Sequence, residues 1–158
     1  MRIAKWRGLT LYIPLICAEA VTESEIAPVY KRAVAGDKQA VEQCITLLEA
    51  GVKEHPNNQV VRVYLGSAYA LRSRDMSFGL AKLSTFRRAM ELMDSAVATD
   101  PDNPRVHLVR GLTCDPLPSF LGRKQIAHDD FARLAEMAKQ SPERFSAGEL
   151  SVIRQHTR

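Results

Sequence analysis

The sequence lacks the features of several specialised protein classes. No run of five like charges occurs among its 22 basic and 18 acidic residues. Nucleic-acid binders usually carry a clustered basic stripe, so the interleaved charges argue against a nucleic-acid partner. Gly and Pro number only eight each in 158 residues, which excludes a low-complexity or disordered chain. The length and ordinary apolar content instead predict one globular domain.

Long hydrophobic runs are also missing. The mostly apolar stretch at residues 9–17 is nine residues long, and a membrane-spanning helix needs about 20. It follows Arg2, Lys5 and Arg7 and precedes Ala-Glu-Ala at residues 18–20, an order typical of a secretory signal peptide. We therefore expect residues 1–20 to be a signal peptide cleaved after Ala20, and the mature protein to be periplasmic or secreted, without stable membrane insertion. The alternative is a buried N-terminal element in a cytoplasmic protein.

Sequence motifs for cofactors and metals are absent. The four histidines show no zinc spacing with a cysteine, and no Cys-x-x-Cys-His is present. Glycine patterns for nucleotides and a Gly-x-Ser-x-Gly motif are missing too. We expect no cofactor and no metal. Two cysteines remain after residue 20, Cys44 and Cys114, and they either pair in an oxidising compartment or serve as small buried apolar side chains.

Helical periodicity dominates the rest of the chain, and no alternating strand pattern appears. Apolar residues recur three or four positions apart, and Thr22 with Glu25 and Ser146 with Glu149 form capping boxes. The predicted helices cover about residues 22–35, 37–54, 58–72, 75 or 77 to 98, 105–113 and 122–139, with a short last helix from residue 146. The sequence thus predicts an all-α domain over residues 21–158.

Two of the turns between these helices have similar sequences. His-Pro-Asn-Asn at 55–58 and Asp-Pro-Asp-Asn at 100–103 are alike, and Ser-Pro-Glu at 141–143 is a weaker copy. Similar residues stand 12, 8 and 5 positions before Pro56 and Pro101 and 9, 10 and 13 positions after them. Before the prolines these are Cys44, Leu48 and Gly51, then Ala89, Met93 and Ala96; after them they are Leu65, Gly66 and Tyr69, then Arg110, Gly111 and Cys114. Repetition at fixed offsets indicates a repeat architecture.

The pattern resembles the tetratricopeptide repeat. The residues that carry the resemblance are Leu65, Gly66, Tyr69, Ala89, Ala96 and Pro101. It implies a short solenoid of about three antiparallel helix pairs with a C-terminal capping helix. In such repeats the Gly permits close approach of paired helices, and the Tyr fills the space between them. The third unit is degenerate, with Arg110 at the Leu position and Cys114 at the Tyr position.

The repeat spacing is longer than the family's. Pro56 to Pro101 spans 45 residues and Pro101 to Pro142 spans 41, against about 34 in the family. The surplus falls between paired helices, at 73–79 and 115–122, and each insert carries one Phe near a Gly. The combination of Arg110-Gly111, Leu-Pro-Ser-Phe at 117–120 and Ala-His-Asp-Asp at 127–130 also resembles a set of exported bacterial helical-repeat proteins without an assigned role.

The resemblance implies a concave groove lined by the first helix of each pair. The positions expected to face it are Val63, Ser67, Ala70, Arg105, Leu108 and Leu112. This set is mostly apolar and lacks the Lys and Asn clamp with which some relatives grip a terminal carboxylate. We therefore expect a non-catalytic scaffold for a protein or peptide with an apolar segment, or for the protein's own insert folded back.

One polar cluster offers an alternative function. Arg110 stands where the repeat has Leu, and Asp130, 12 residues before Pro142, stands where it has Ala. A buried Arg needs an acidic partner, so we expect Arg110 and Asp130 to form a structural ion pair beside Gly111. The alternative is a small enzyme that uses Arg110, His128 and Asp130. A third possibility is an intracellular adaptor, if the N-terminus is not cleaved.

Overall fold

Seven α-helices make up most of the described residues, and several of them begin at a residue whose side chain caps the helix. A computed structural model describes residues 21–157, which contain no β-strand, so the all-α prediction is confirmed. The predicted signal peptide lies outside the described residues. The helices are α1 (Glu23–Val34), α2 (Lys38–Glu54), α3 (Gln59–Asp75), α4 (Leu80–Thr99), α5 (Pro104–Cys114), α6 (Lys124–Gln140) and α7 (Ala147–His156), with short 3-10 helices at Ser119–Leu121 and Pro142–Arg144.

The repeated turns work as helix starts. Asn58 accepts a hydrogen bond from the backbone N–H of Val61 (3.1 Å), and Asn103 accepts one from Arg105 (3.0 Å). Each Asn thereby satisfies one of the unpaired N–H groups at a helix N-terminus. The final Asn of the Pro-x-Asn pattern is thus the N-cap of the next helix.

Helices that follow one another pack in pairs. α1 lies against α2, α3 against α4, and α5 against α6; α2 also packs against α3, and α7 packs against α6. The first helices of the pairs are also neighbours, because α3 contacts both α1 and α5. Short connections make sequential helices antiparallel. All first helices therefore end, and all second helices begin, at one end of the molecule, which we call the insert end because both inserts lie there.

The first insert is shorter in the structure than in the sequence pattern, whereas the second is one residue longer. α3 continues to Asp75 and α4 starts only at Leu80, so residues 73–75 belong to a helix. α6 begins at Lys124 because Gly122, in the left-handed region at φ 68°, ends the preceding 3-10 helix. The surplus length is therefore taken up partly by longer helices.

The contact of α3 with α4 is close at Gly66. A Cβ built on Gly66 would lie 2.6 Å from Cγ of Met93 and 2.8 Å from the carbonyl oxygen of Ala89. Ala89 is fully buried, so the small residues Gly66 of α3 and Ala89 of α4 meet there. Tyr69 is 4% exposed, and its hydroxyl donates to Glu49 of α2. No helix of the described part of the chain is long and apolar enough to cross a membrane.

Candidate binding groove and buried ion-pair cluster

A groove with a volume of about 620 Å³ opens at the insert end, along the first helices. Its walls come from α1, α3, α5 and the start of the second insert. The lining residues are Tyr30, Val34, Ser67, Ala70, Leu71, Arg74, Leu112, Thr113, Pro116, Leu117 and Pro118. Most of these side chains are apolar, so the groove offers contacts mainly to an apolar group.

Three hydroxyl groups form the floor of this groove. Tyr30 Oη lies 2.6 Å from Ser67 Oγ, and Ser67 Oγ lies 2.8 Å from Thr113 Oγ1. Thr113 donates its proton to the carbonyl oxygen of Val109 (2.7 Å), so Ser67 must donate to Thr113, and Tyr30 must donate to Ser67. Burial raises the pKa of Tyr30, which keeps its proton in place. The protons of these three hydroxyl groups are therefore all donated within the protein, and none of them is available to a ligand.

The structure places only part of the predicted groove set in this groove. Ser67, Ala70 and Leu112 line it. Val63 is 0% exposed and packs in the core, so its prediction as a groove residue is corrected. Helical geometry explains the error, because Val63 is four residues before Ser67 and thus rotated by about 40° around α3.

Arg105 and Leu108 belong to a second depression, at the other end of the same helices. It has a volume of about 400 Å³ and a more polar lining. Arg105 bridges Glu23 of α1 (2.6 Å) and Glu149 of α7 (2.5 Å). Arg105 therefore links α1, α5 and α7, and the prediction that Arg105 and Leu108 face the apolar groove is corrected.

Arg110 and Asp130 are in direct contact. Nε and Nη2 of Arg110 donate to the two carboxylate oxygens of Asp130, each over 2.8 Å. Asp130 is 1% exposed, and burial of such a charge is tolerable only with hydrogen-bonded partners. Gly111 lies beside the pair, since a Cβ built there would be 3.4 Å from Cβ of Asp130.

The cluster extends to side chains that sequence analysis did not identify. Nδ1 of His107 is 2.7 Å from Asp130 Oδ1, and its Nε2 is 2.9 Å from the carbonyl oxygen of Pro101. Arg110 also donates to Asp94 of α4 (3.1 Å). The spacing of His107 and Asp94 carried no repeat signal that would have revealed them.

The alternative catalytic set does not come together. The side chain of His128 is 69% exposed and lies beside Asp129 (3.7 Å), while Asp130 is held inside by Arg110 and His107. The histidine of the cluster is therefore His107. Among residues 21–157, no group of three or more His, Cys, Asp or Glu side chains is arranged to hold a metal ion.

Both cysteines of the described residues are buried and free, so they do not pair with each other. Burial raises the pKa of Cys44 and of Cys114 to about 11. A thiol with so high a pKa is almost fully protonated at neutral pH, and the thiolate is the nucleophilic form. Cys114 is therefore a poor nucleophile although it stands near Arg110.

Comparison with known proteins gives no relative from which a role could be transferred. The chain matches no protein-family model, no curated protein and no solved structure.

Proposed function

We propose that the protein is a non-catalytic scaffold of tetratricopeptide-like architecture, with a solenoid of three helix pairs, that binds an apolar segment of a protein or peptide partner. The observation that carries this proposal is the apolar groove along α1, α3 and α5. The adjacency of the first helices and the close approach at Gly66 support the repeat architecture. In the repeat family that the sequence resembles, the first helices line the groove that binds peptides.

The chemistry of the groove favours an apolar occupant. Val34 is 50% exposed and Leu112 is 42% exposed at its rim, so a ligand would remove apolar surface from water. The hydroxyl protons of the floor are all used within the protein. A carboxylate-rich ligand would find only Arg74, whose guanidinium is already bonded to Asp75 (2.9 Å).

A peptide selection tests this proposal. We expect random peptides displayed on phage and selected on the protein to share consecutive apolar residues. Leu112→Glu should weaken their binding about tenfold or more, because it puts a charge against an apolar ligand. Leu80→Glu is the matched control, since Leu80 is 85% exposed and lies outside the groove. Binding is measured by fluorescence anisotropy. Equal losses in both variants, or peptides without an apolar core, would refute the groove as the site.

Export is part of the same proposal and has its own test. The charged start, the short apolar run and Ala18-Glu19-Ala20 support cleavage after Ala20. We expect the intact mass of the protein isolated from its native host to correspond to a chain that begins at Val21. Full-length protein in the cytoplasmic fraction would contradict export and leave the intracellular adaptor.

A further inference from the structure

The exposed apolar side chains are concentrated at the insert end. Among residues 21–157, the large hydrophobic residues with high exposure are Val34, Phe78, Leu80, Leu83, Leu112 and Phe120. Val34 and Leu112 lie in the last turns of α1 and α5, and Leu80 and Leu83 in the first turn of α4. Phe78 and Phe120 lie in the two inserts. All six therefore belong to the end where first helices finish and second helices begin.

Phe78 and Phe120 are the most prominent members of this set. They are 88% and 86% exposed, almost as exposed as in an unfolded chain. The second insert packs beside the helix that precedes the first insert, because Leu117 and Pro118 line the groove with Leu71 of α3. On the other side, Leu121 lines a depression with Leu83 of α4. Two exposed phenylalanines thus lie in two loops at the same end of the molecule.

The same end carries more basic than acidic side chains. The segments 31–38, 72–82 and 115–124 contain eight Lys and Arg but only three Asp, while the remainder of residues 21–158 has a net charge of −3. Three of these basic side chains pair with the three aspartates, and Arg72 and Arg123 pair with Glu42 and Asp94. These salt bridges leave the end with an excess of positive charge.

We propose that the insert end binds the surface of an anionic lipid membrane, with Phe78 and Phe120 entering the interface. Aromatic side chains are favoured at the boundary of headgroups and acyl chains, and each Lys or Arg close to an anionic surface adds attraction. Phe78 and Phe120 are exposed side chains on two separate loops, and they can insert into a fluid lipid surface without a preformed pocket for either of them. A protein partner would have to provide a matching pocket for each phenylalanine, at positions set by two loops.

Sedimentation with vesicles measures the partition of the full-length protein. We expect binding to vesicles with equal amounts of phosphatidylglycerol and phosphatidylcholine, and little to pure phosphatidylcholine. Phe78→Ser with Phe120→Ser should lower the partition coefficient about tenfold or more. Every variant retains residues 1–20, so a contribution of that segment is the same in all of them.

Charge reversal has a matched control at the opposite end. Lys31→Glu with Lys38→Glu changes the insert end, and Lys53→Glu with Lys139→Glu makes the same charge change at the far ends of α2 and α6. We expect the first pair to reduce vesicle binding about tenfold or more and the second pair to reduce it far less. Equal losses would show a general charge effect and overturn the proposal.

Tryptophan fluorescence identifies the residues that touch lipid. Trp6 is the single tryptophan, so the Trp6→Phe variant has no tryptophan fluorescence. Single tryptophans are then introduced into this variant by Phe78→Trp, Phe120→Trp and, at the opposite end, Asn57→Trp. We expect a blue shift and quenching by brominated lipid at positions 78 and 120 but not at 57.

Several results would overturn the proposal: no vesicle binding by the unaltered protein, unchanged binding after loss of both phenylalanines, or an equal shift at position 57. A dimer that the double serine variant converts to monomer, without vesicle binding, would show instead that a second copy covers the insert end. None of these results depends on whether the groove binds peptides.

Discussion

Replacing Arg110 with Leu is expected to lower the free energy of unfolding by about 3–5 kcal/mol. Asp130 is 1% exposed, and after the change His107 would be the remaining side-chain partner of its carboxylate. A buried charge that loses its main counter-ion retains its desolvation penalty without the compensating attraction. Urea denaturation followed by circular dichroism gives the change directly.

Asp130→Ala is expected to cost less than Arg110→Leu, about 2–3 kcal/mol. Arg110 keeps Asp94 as a partner at 3.1 Å, and its side chain is 15% exposed. The double variant restores the apolar pair that the repeat has at these positions, so it should recover part of the loss. We expect a coupling free energy of at least about 1 kcal/mol between the two residues. Recovery stays incomplete because His107 would keep an unpaired Nδ1.

An exposed pair between the same parts of the chain provides the control. Arg133 of α6 donates to Asp102, in the turn before α5, over 2.7 Å, but their side chains are 46% and 83% exposed. The same cycle with Arg133→Leu and Asp102→Ala should give a coupling below about 1 kcal/mol, as is usual for solvated pairs. Additive effects at Arg110 and Asp130 would show that their contact does not stabilise the fold.

The ion pair of Arg110 and Asp130 could be predicted from the sequence, because both residues stand at fixed positions relative to the repeated prolines. Arg110 and Asp130 occupy positions that face each other in paired helices, so two polar replacements there imply a common cause. His107 could not be found this way, because a single histidine on a helix has no periodic signature. Its role depends on the carboxylate of Asp130 on α6, which is 23 residues away in the sequence.

Groove positions were predicted less well than core positions. A helix face is narrow, and a change of four residues rotates a side chain by about 40°, which is enough to move Val63 from the groove into the core. The inserts have no repeat register, so the sequence could not show that Pro116, Leu117 and Pro118 form one wall. Core residues such as Ala89 and Gly66 are constrained by both helices of a pair, and their pattern is therefore more informative.

Gly66→Ala is expected to lower the free energy of unfolding by about 1–3 kcal/mol, although Ala favours a helix over Gly by about 1 kcal/mol. The added Cβ would lie 2.8 Å from the carbonyl oxygen of Ala89. A backbone oxygen cannot move away like the end of a side chain, so α3 and α4 would have to separate along their interface. Gly66→Leu should destabilise further, and chemical denaturation measures both changes.

Two other glycines separate the packing effect from helix propensity. A Cβ on Gly111 would meet the ring of Phe131 at 3.3 Å, a tight contact with a side chain only. On Gly148 of α7 it would meet nothing closer than 4.0 Å. We therefore expect Gly111→Ala to cost less than Gly66→Ala, and Gly148→Ala to stabilise the protein slightly. A Gly66→Ala variant as stable as Gly148→Ala would show that close approach of α3 and α4 does not require glycine, and the main structural support for the tetratricopeptide resemblance would be lost.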